Sequence, residues 1–283
     1  MNMKSSMSPA TTAPVAMRSP SLITQLLKQI PGMQAMANFR NRHKPIISQK
    51  EVEQYHGSGY MIFDPLLPMS VIDQAIIDLK NHPENVNNLH HGSRVFNAWK
   101  ESAAVRTIAL CPRVLRVLQQ LYGRKPLPFQ TLNFPIGTEQ RAHSDIIHFH
   151  SDPPSYMCGV WVALEDIDLG NGALVYYPGS HKLPEVKMED FAPGPGTEHY
   201  DKYEDFIEGI VKKNNLRAER AIIKKGQCLI WSANLIHGGG SHPDKKRTRH
   251  SQVTHYYFEG CQNYMPLESY GGYRHLRFEE WIK

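Results

Sequence analysis

The chain has 283 residues, of which 41% are hydrophobic and 21% charged, a composition typical of a globular protein with one large core. Its formal net charge is +5, but residues 1–50 hold seven Lys or Arg and no acid, so 5 minus 7 leaves about −2 for the rest. This distribution argues against the basic groove of a nucleic-acid enzyme, and no apolar run reaches the roughly 18 residues of a membrane span. We therefore expect neither a nucleic-acid partner nor an integral membrane contact.

The N-terminal residues differ in composition from the remainder. Residues 1–20 are rich in Ser, Thr, Pro and Ala, which predicts disorder, and the following apolar residues recur at helical spacing. Residues 1–47 are thus predicted to be a basic, partly disordered extension with a short amphipathic helix. This helix either covers the domain's own surface or contacts a membrane or a partner, and the lack of acids also suits an organelle-targeting leader. The apolar residues are Leu22, Ile23, Leu26, Leu27 and Ile30.

The cysteines predict a reducing environment. They are widely spaced and form no Cys-x-x-Cys pair, which argues against a disulfide framework or a zinc knuckle. We expect free thiols and a cytoplasmic, or at least intracellular, location. The four residues are Cys111, Cys158, Cys228 and Cys261.

Residues 48–283 are predicted to form a single domain that begins with helices. Ser48 followed by Glu51 is typical of a capping box, and Ser70 is predicted to cap a second helix. A strand over residues 60–63 lies between them. A third helix is predicted from Pro112 to just before Gly123.

Beyond residue 123 the pattern indicates strands. Short apolar segments bounded by turn residues favour an antiparallel sandwich or jelly roll, so the fold class is mainly β with a helical flank. Residues 183–216 are predicted to be an inserted lid that contains a helix within residues 198–215. The predicted strands cover residues 129–136, 156–164, 173–177, 220–224, 227–231 and 251–258.

Two His-x-Asp pairs lie close together, His143 with Asp145 and His150 with Asp152. Residues two apart on a strand point to the same face, so either pair could present an imidazole and a carboxylate to one metal ion. A polar loop without a metal is the alternative. A later histidine, His237, follows an apolar strand and precedes three glycines, which leave room close to an ion. Two His and one carboxylate form the facial triad of non-haem Fe(II) oxygenases.

A buried cation is predicted beside this site. Arg249 opens an apolar strand, where an unpaired charge is costly, and Ser251 lies two residues further on the same face. A guanidinium can bind a carboxylate bidentately, with a hydroxyl adding a hydrogen bond.

These residues and three further motifs together resemble the phytanoyl-CoA dioxygenase (PhyH) family of Fe(II)/2-oxoglutarate oxygenases, over about residues 50–260. The motifs are Gly159-Val-Trp-Val-Ala-Leu-Glu-Asp-Ile-Asp168, Asn171-Gly-Ala-Leu-Val-Tyr-Tyr-Pro-Gly-Ser-His-Lys182 and Gly59-Tyr-Met-Ile-Phe-Asp-Pro-Leu-Leu67. The resemblance implies a double-stranded β-helix of the jelly-roll, cupin-like type with N-terminal helices packed on it. It also implies Fe(II), with 2-oxoglutarate and O₂ as cosubstrates. The implied reaction is hydroxylation of an unactivated C–H bond of a small molecule, with release of succinate and CO₂.

The resemblance also assigns roles to residues. His143 lies eighteen residues before Trp161, as in the family, so His143, Asp145 and His237 are expected to bind the metal. Arg249 and Ser251 are expected to bind 2-oxoglutarate, with Trp161 and Asn133 also in its pocket. His148, His150 and Asp152 then become candidates for the substrate pocket, with a plain surface loop as the alternative.

Two other functions are compatible with the same residues. One is a non-catalytic β-helix protein that retains the pocket to bind a small molecule. The other is a zinc hydrolase, although no general base is evident beside the predicted metal ligands. The carboxylate of Asp145 disfavours a halogenase, because the related halogenases have a small residue at that position.

Overall fold

The computed structural model of the chain describes residues 45–84 and 94–283, and residues 46–283 form one compact unit. The predicted extension at residues 1–47, with its amphipathic helix, lies outside the described residues except for its last three. None of the helices in the described ranges is both long and apolar enough to cross a bilayer.

The first part of the domain is helical, as predicted. Helix α1 spans Gln49–Ser58, and Ser48 and Glu51 form the expected capping box, in which the Ser48 N–H donates to the Glu51 carboxylate at 2.7 Å. It is followed by α2 (Met69–Leu79), α3 (Ala103–Ala109) and α4 (Pro112–Tyr122). The predicted cap at Ser70 is wrong, because α2 starts at Met69 with Pro68 as its N-cap. Helix α3 is too short to show a clear apolar period in the sequence and was not predicted.

The strands form three antiparallel sheets. The major sheet has the order β1 (Tyr60–Phe63), β8 (Cys228–Ser232), β5 (Met157–Ala163), β10 (Ser251–Phe258), β3 (Pro126–Phe134) and β2 (Val95–Phe96). The minor sheet has the order β7 (Glu219–Arg220), β6 (Val175–Tyr176) and β9 (His237–Gly238). A separate pair joins β4 (His150–Asp152) to β11 (Gln262–Tyr264), and helix α5 (Tyr200–Lys213) is inserted between β6 and β7.

The two faces of the major sheet have different partners. On β5, Val160 and Val162 point to a core that also contains Val105 of α3 and Leu118 of α4. Trp161, between them, points to a second core that includes Tyr176 of the minor sheet. Alternation along a strand therefore places the helices on one side and the minor sheet on the other. This arrangement confirms the predicted jelly roll with helices packed on it.

Most of the predicted elements are present. The strand over residues 251–258 is confirmed residue for residue, and the helix within residues 198–215 is α5. The strand predicted over residues 220–224 is wrong in its extent, because only Glu219–Arg220 pair with β6 and Ile223 forms an isolated bridge with Ile167.

Candidate metal centre

Three potential metal ligands meet between the two main sheets. One ligand atom from each of His143, Asp145 and His237 lies within 4.8 Å of the others, and all three residues are buried. His143 and His237 form an isolated β-bridge in which each backbone N–H donates to the other's carbonyl at 2.8 Å. Backbone pairing of two distant segments thus brings together a His-x-Asp loop and the histidine that precedes the glycines.

Both histidine rings are oriented by hydrogen bonds to the backbone. The Nδ1 of His143 lies 2.9 Å from the carbonyl oxygen of Arg141, and the Nδ1 of His237 lies 3.0 Å from that of Leu235. A carbonyl only accepts, so each Nδ1 carries the proton and each Nε2 is left with its lone pair. The two Nε2 atoms lie 3.8 and 3.9 Å from Oδ1 of Asp145. A histidine that binds a metal through one ring nitrogen usually donates a hydrogen bond from the other, and both histidines do so here.

The Asp145 carboxylate uses its two oxygens differently. Oδ1 faces the histidines, whereas Oδ2 accepts a hydrogen bond of 2.7 Å from the indole Nε1 of Trp231 and lies 3.6 Å from Nε2 of His255. Burial alone would raise the pKa of Asp145, but His237, His255 and His143 together hold that pKa well below its usual range. The carboxylate is therefore ionised, as metal binding requires.

The protonation state of His143 also suits a metal. Burial, and then repulsion by His237, lowers the pKa of His143 to about 3. Its imidazole is therefore neutral at physiological pH, which is the form that binds metals.

Replacing Trp231 by Phe should weaken metal binding while the fold persists. The change removes the hydrogen bond that orients Asp145, and loss of such a supporting contact typically weakens metal binding by about 10–100-fold. Metal titration of the purified variant by calorimetry checks this. Trp99→Phe is the matched control, because Trp99 lies in the helical layer and its Nε1 donates to Asn97 instead. Equal metal affinities in the two variants would contradict the role of Trp231.

A cavity of about 440 Å³ opens beside the three ligands, and Arg249 lines it. Arg249 is 4% exposed, and its guanidinium lies over the rings of Phe134 and Trp161 and forms no ion pair with a described residue. Its Nε has no acceptor in the described structure. Burial lowers the pKa of Arg249 to about 10, so it remains charged at neutral pH. A buried, unpaired cation of this kind is suited to an anionic ligand.

Two further polar atoms near Arg249 lack partners among the described residues. Trp161 lines the cavity with its Nε1 unsatisfied, and the Oγ of Ser251 is fully buried without a hydrogen bond. Ser251 is not among the residues that line the cavity, but it is opposite Phe134 in the sheet and shares a strand face with Val253, and both Phe134 and Val253 line it. The sequence-predicted group of Arg249, Ser251 and Trp161 is therefore together, with unused donors that a bound carboxylate would satisfy.

The structure corrects the prediction for Asn133. This residue lies on the opposite face of β3 from the cavity residues Leu132 and Phe134. Its side chain donates to Gln252 at 3.2 Å, and Gln252 in turn donates to the carbonyl oxygen of Val105 in α3. Asn133 thus connects the sheet to the helical layer and cannot reach a cosubstrate in the cavity.

The three candidates for the substrate pocket, His148, His150 and Asp152, lie in two different environments. His148 lines the cavity, and its ring stacks on that of Tyr200 with centroids 5.1 Å apart. His150 instead lies 2.9 Å from the Glu185 carboxylate. Asp152 is exposed and pairs with Arg274.

Pairing of β4 with β11 accounts for this difference, because it holds His150 and Asp152 in a strand away from the cavity. The prediction that these two residues line the substrate pocket is therefore wrong. The alternative in which they supply the metal pair is not supported either.

The inserted helix is bonded to the metal loop. The hydroxyl of Tyr203 in α5 accepts from the backbone N–H of Ser144 and donates to its carbonyl, both at 2.9 Å. Arg141 pairs with Asp205 at 2.6 Å and Glu208 at 2.9 Å on the same helix. Ser144 lies between His143 and Asp145, so α5 positions the loop that carries these two ligands. The same helix also lines the cavity. The bonds of Tyr203 to Ser144 and of Trp231 to Asp145 were not predicted, because no local pattern shows which distant residue each side chain meets.

Replacing Tyr203 by Phe should destabilise the protein and weaken its metal site. The N–H and carbonyl of buried Ser144 would lose their partner, which costs about 1–3 kcal/mol of unfolding free energy. Chemical denaturation and metal titration measure the two effects. The control is Tyr273→Phe, since Tyr273 is 65% exposed. If Tyr203→Phe matched wild type in both measurements, the helix would have no role in holding the loop.

Comparison with known proteins agrees with this architecture. Phytanoyl-CoA dioxygenase, peroxisomal, from Bos taurus is 28% identical over 138 residues, covering 46% of this chain and 39% of that protein. Phytanoyl-CoA dioxygenase from Arabidopsis thaliana is 31% identical over 144 residues, covering 49% and 47%. The matched segments therefore span less than half the length of these curated relatives.

Solved structures show the same fold. The non-haem alpha ketoglutarate dependent carbocyclase SnoK from nogalamycin biosynthesis has a TM-score of 0.62 at 15% identity, covering 82% of this chain and 97% of that one. The epimerase SnoN in complex with Fe³⁺, alpha ketoglutarate and nogalamycin RO has a TM-score of 0.60 at 18% identity, covering 83% and 98%.

At these identities the structural likeness concerns the fold, and the sequence match identifies the family. The model of the phytanoyl-CoA dioxygenase (PhyH) family matches residues 41–251, which include the three ligands and extend to Ser251. The chain belongs to the phytanoyl-CoA dioxygenase (PhyH) family.

Proposed function

We propose that this protein is an Fe(II)/2-oxoglutarate-dependent dioxygenase that hydroxylates an unactivated C–H bond of a small organic molecule. Succinate and CO₂ are the coproducts. The observation that carries the proposal is the placement, in one cavity, of a His-Asp-His ligand set and a buried guanidinium without a carboxylate partner among the described residues. A facial triad leaves three coordination positions open, and an arginine is the usual partner of a carboxylate.

The described residues would have different roles in this reaction. His143, Asp145 and His237 would hold Fe(II), and Arg249 with Ser251 would bind the distal carboxylate of 2-oxoglutarate. The bound iron, together with 2-oxoglutarate and O₂, supplies the oxidising chemistry. Apolar side chains exclude water around the cosubstrate and restrict how it can orient; they include Leu132, Phe134, Trp161, Leu174 and Val253.

Family membership supports the oxygenase class, and the names of the structural neighbours extend to a carbocyclase and an epimerase. We propose hydroxylation because the curated relatives carry the name dioxygenase. A zinc hydrolase is less well supported. Among the described residues that line the cavity, Asp145 is the only carboxylate, and it is already placed as a ligand, so a carboxylate base is lacking.

The remaining alternative is a non-catalytic protein that uses the cavity only to bind a ligand. It predicts small-molecule binding that does not change in His143→Ala, whereas the oxygenase predicts binding and turnover that both need the metal. Anaerobic titration of 2-oxoglutarate into wild type and His143→Ala, with and without Fe(II), separates the two functions.

The decisive experiment measures succinate formed from 2-oxoglutarate by the Fe(II)-loaded protein in air. We expect slow succinate release without added substrate, abolished by a chelator and restored by Fe(II) but not by Zn(II). A folded, iron-loaded protein that neither binds 2-oxoglutarate nor forms succinate would refute the proposal.

We also propose an intracellular location. All four cysteines are free thiols, and three of them are buried. Unpaired cysteines are the normal state in a reducing compartment. Fractionation of the source cells with an antibody against the protein would test this.

A further inference from the structure

A second arginine without a carboxylate partner lines the cavity. Arg94 is partly buried, and its guanidinium lies 4.9 Å from the centroid of the Phe96 ring. It forms no ion pair with any carboxylate in residues 45–84 or 94–283. The sequence of residues 1–44 and 85–93 contains no Asp or Glu. Arg94 is therefore paired with no acidic side chain among the described residues, and the remaining residues contain none.

The third arginine of the cavity is different. Arg277 also lines it, but its Nε lies 2.5 Å from the carboxylate of Glu279, and both side chains are largely buried. This pair is electrically neutral and needs no ligand. Arg94 and Arg249 are thus the two unpaired guanidinium groups of the cavity in the described structure.

A charge count assigns these two groups to different ligands. In the proposed function, the doubly negative 2-oxoglutarate balances the doubly positive iron, and Asp145 balances Arg249. The positive charge of Arg94 is then left over. Arg94 is partly buried, and a partly buried charge without a counter-charge is more costly than one in open solvent. One further negative charge would offset this cost, and no carboxylate among the described residues pairs with Arg94 to supply it.

We propose that the substrate itself carries this charge as a carboxylate and that Arg94 binds it, which names the substrate class of the proposed oxygenase and rests on that function. A carboxylate provides one negative charge at neutral pH and matches the planar guanidinium in a bidentate contact. A phosphate monoester would bring closer to two charges.

The neighbours of Arg94 suit this assignment. The ring of His148 and the hydroxyl-bearing ring of Tyr200 stack on each other and line the same cavity. Arg94 lines that cavity as well. Polar ring groups are therefore available in the cavity in addition to the guanidinium.

The rest of the cavity indicates an apolar body for the substrate. Phe96, Phe149, Met265 and Leu267 line it in addition to the residues around Arg249. An aliphatic or aryl carboxylic acid combines an apolar body with one terminal charge. The carboxylate bound by Arg94 would also fix which carbon of the chain faces the metal, because it anchors one end of the molecule.

The test compares acids with their uncharged amides. Octanoate and hydrocinnamate, each beside its primary amide, are titrated calorimetrically into anaerobic Fe(II)-loaded protein that is saturated with 2-oxoglutarate. Saturation keeps the probes away from Arg249. We expect each acid to bind about tenfold or more tightly than its amide, the effect of one charge-assisted pair.

Variants of Arg94 show whether this residue causes the preference for acids. Arg94→Gln should remove the preference for acids without changing 2-oxoglutarate affinity, and Arg94→Glu should shift the preference to octylamine. Arg220→Gln is the matched control, because Arg220 is an exposed arginine on β7. Circular dichroism checks that each variant is folded.

The outcomes separate this inference from the function on which it rests. If 2-oxoglutarate does not bind the iron-loaded protein, the proposed function fails. If 2-oxoglutarate binds but the acids bind no better than their amides, or neither binds, the assignment to Arg94 is overturned alone. A preference that survives in Arg94→Gln, or tighter binding of octyl phosphate than of octanoate, would also overturn it.

Discussion

His143→Ala should lose metal binding and succinate formation together, with Fe(II) or Mn(II) affinity lowered more than 100-fold. The loss should exceed the 10–100-fold typical of a supporting contact, because a ligand itself is removed. The structure gives the reason: the Nε2 of His143 lies 3.8 Å from Oδ1 of Asp145, on the side where His237 also presents its Nε2. Two remaining ligands cannot hold a facial site. Metal content after gel filtration and calorimetric titration measure the change.

His150→Ala is the informative control for this prediction. It removes the histidine of the other His-x-Asp pair, whose ring contacts Glu185 and stacks on Tyr264 outside the cavity. We expect some loss of stability and unchanged metal affinity per folded molecule. The opposite pattern, with metal lost in His150→Ala and kept in His143→Ala, would show that the second pair holds the metal.

Arg249→Met should raise the Kd for 2-oxoglutarate at least 100-fold and leave metal affinity intact. A charge-assisted bidentate contact in a buried site contributes several hydrogen bonds that methionine cannot replace. The metal ligands are unaffected, because Arg249 lies over Phe134 and Trp161 and contacts none of the three. Anaerobic titration of 2-oxoglutarate into the Fe(II)-loaded variant measures the effect.

The same variant should be at least as stable as wild type when no ligand is bound. The buried guanidinium has no ion-pair partner among the described residues, so its burial opposes folding, and an apolar side chain of similar length removes that cost. Thermal unfolding without and with 2-oxoglutarate separates the two effects.

Arg247→Met serves as the control for Arg249→Met. Arg247 lies two residues away but pairs with Asp168 at 2.9 Å on the surface, so its replacement should alter neither 2-oxoglutarate affinity nor the ligand-free stability by much. Normal 2-oxoglutarate affinity in Arg249→Met would rule out the assigned carboxylate site.

The helix inserted between β6 and β7 is coupled to the metal loop. Tyr203 and Arg141 bond α5 to the loop of His143 and Asp145 at several points. A segment held in this way is a wall of the cavity that is coupled to the metal ligands. We therefore expect replacement of Tyr200, which lines the cavity from the same helix, to affect metal affinity as well, as metal titration of Tyr200→Ala would measure.

Local sequence patterns were sufficient for the ligand types and most of the elements. A His-x-Asp pair, a histidine before three glycines and an arginine at the start of an apolar strand are each visible within a few residues, because strand periodicity and turn chemistry are local properties. The strand Ser251–Phe258 and the helix Pro112–Tyr122 were predicted for the same reason.

The family resemblance had singled out which of these residues hold the metal and the cosubstrate, and tertiary structure decided which other residues meet them. Pairing of β4 with β11 removes His150 and Asp152 from the cavity, and the register of β3 turns Asn133 to the helical layer. Trp231, Tyr203 and Arg94 have no local signal, since their roles depend on contacts with residues distant in the chain. The sequence by itself determined the chemistry that the chain can offer. The face and register of each strand, which are set by long-range backbone pairing, decided where that chemistry is assembled.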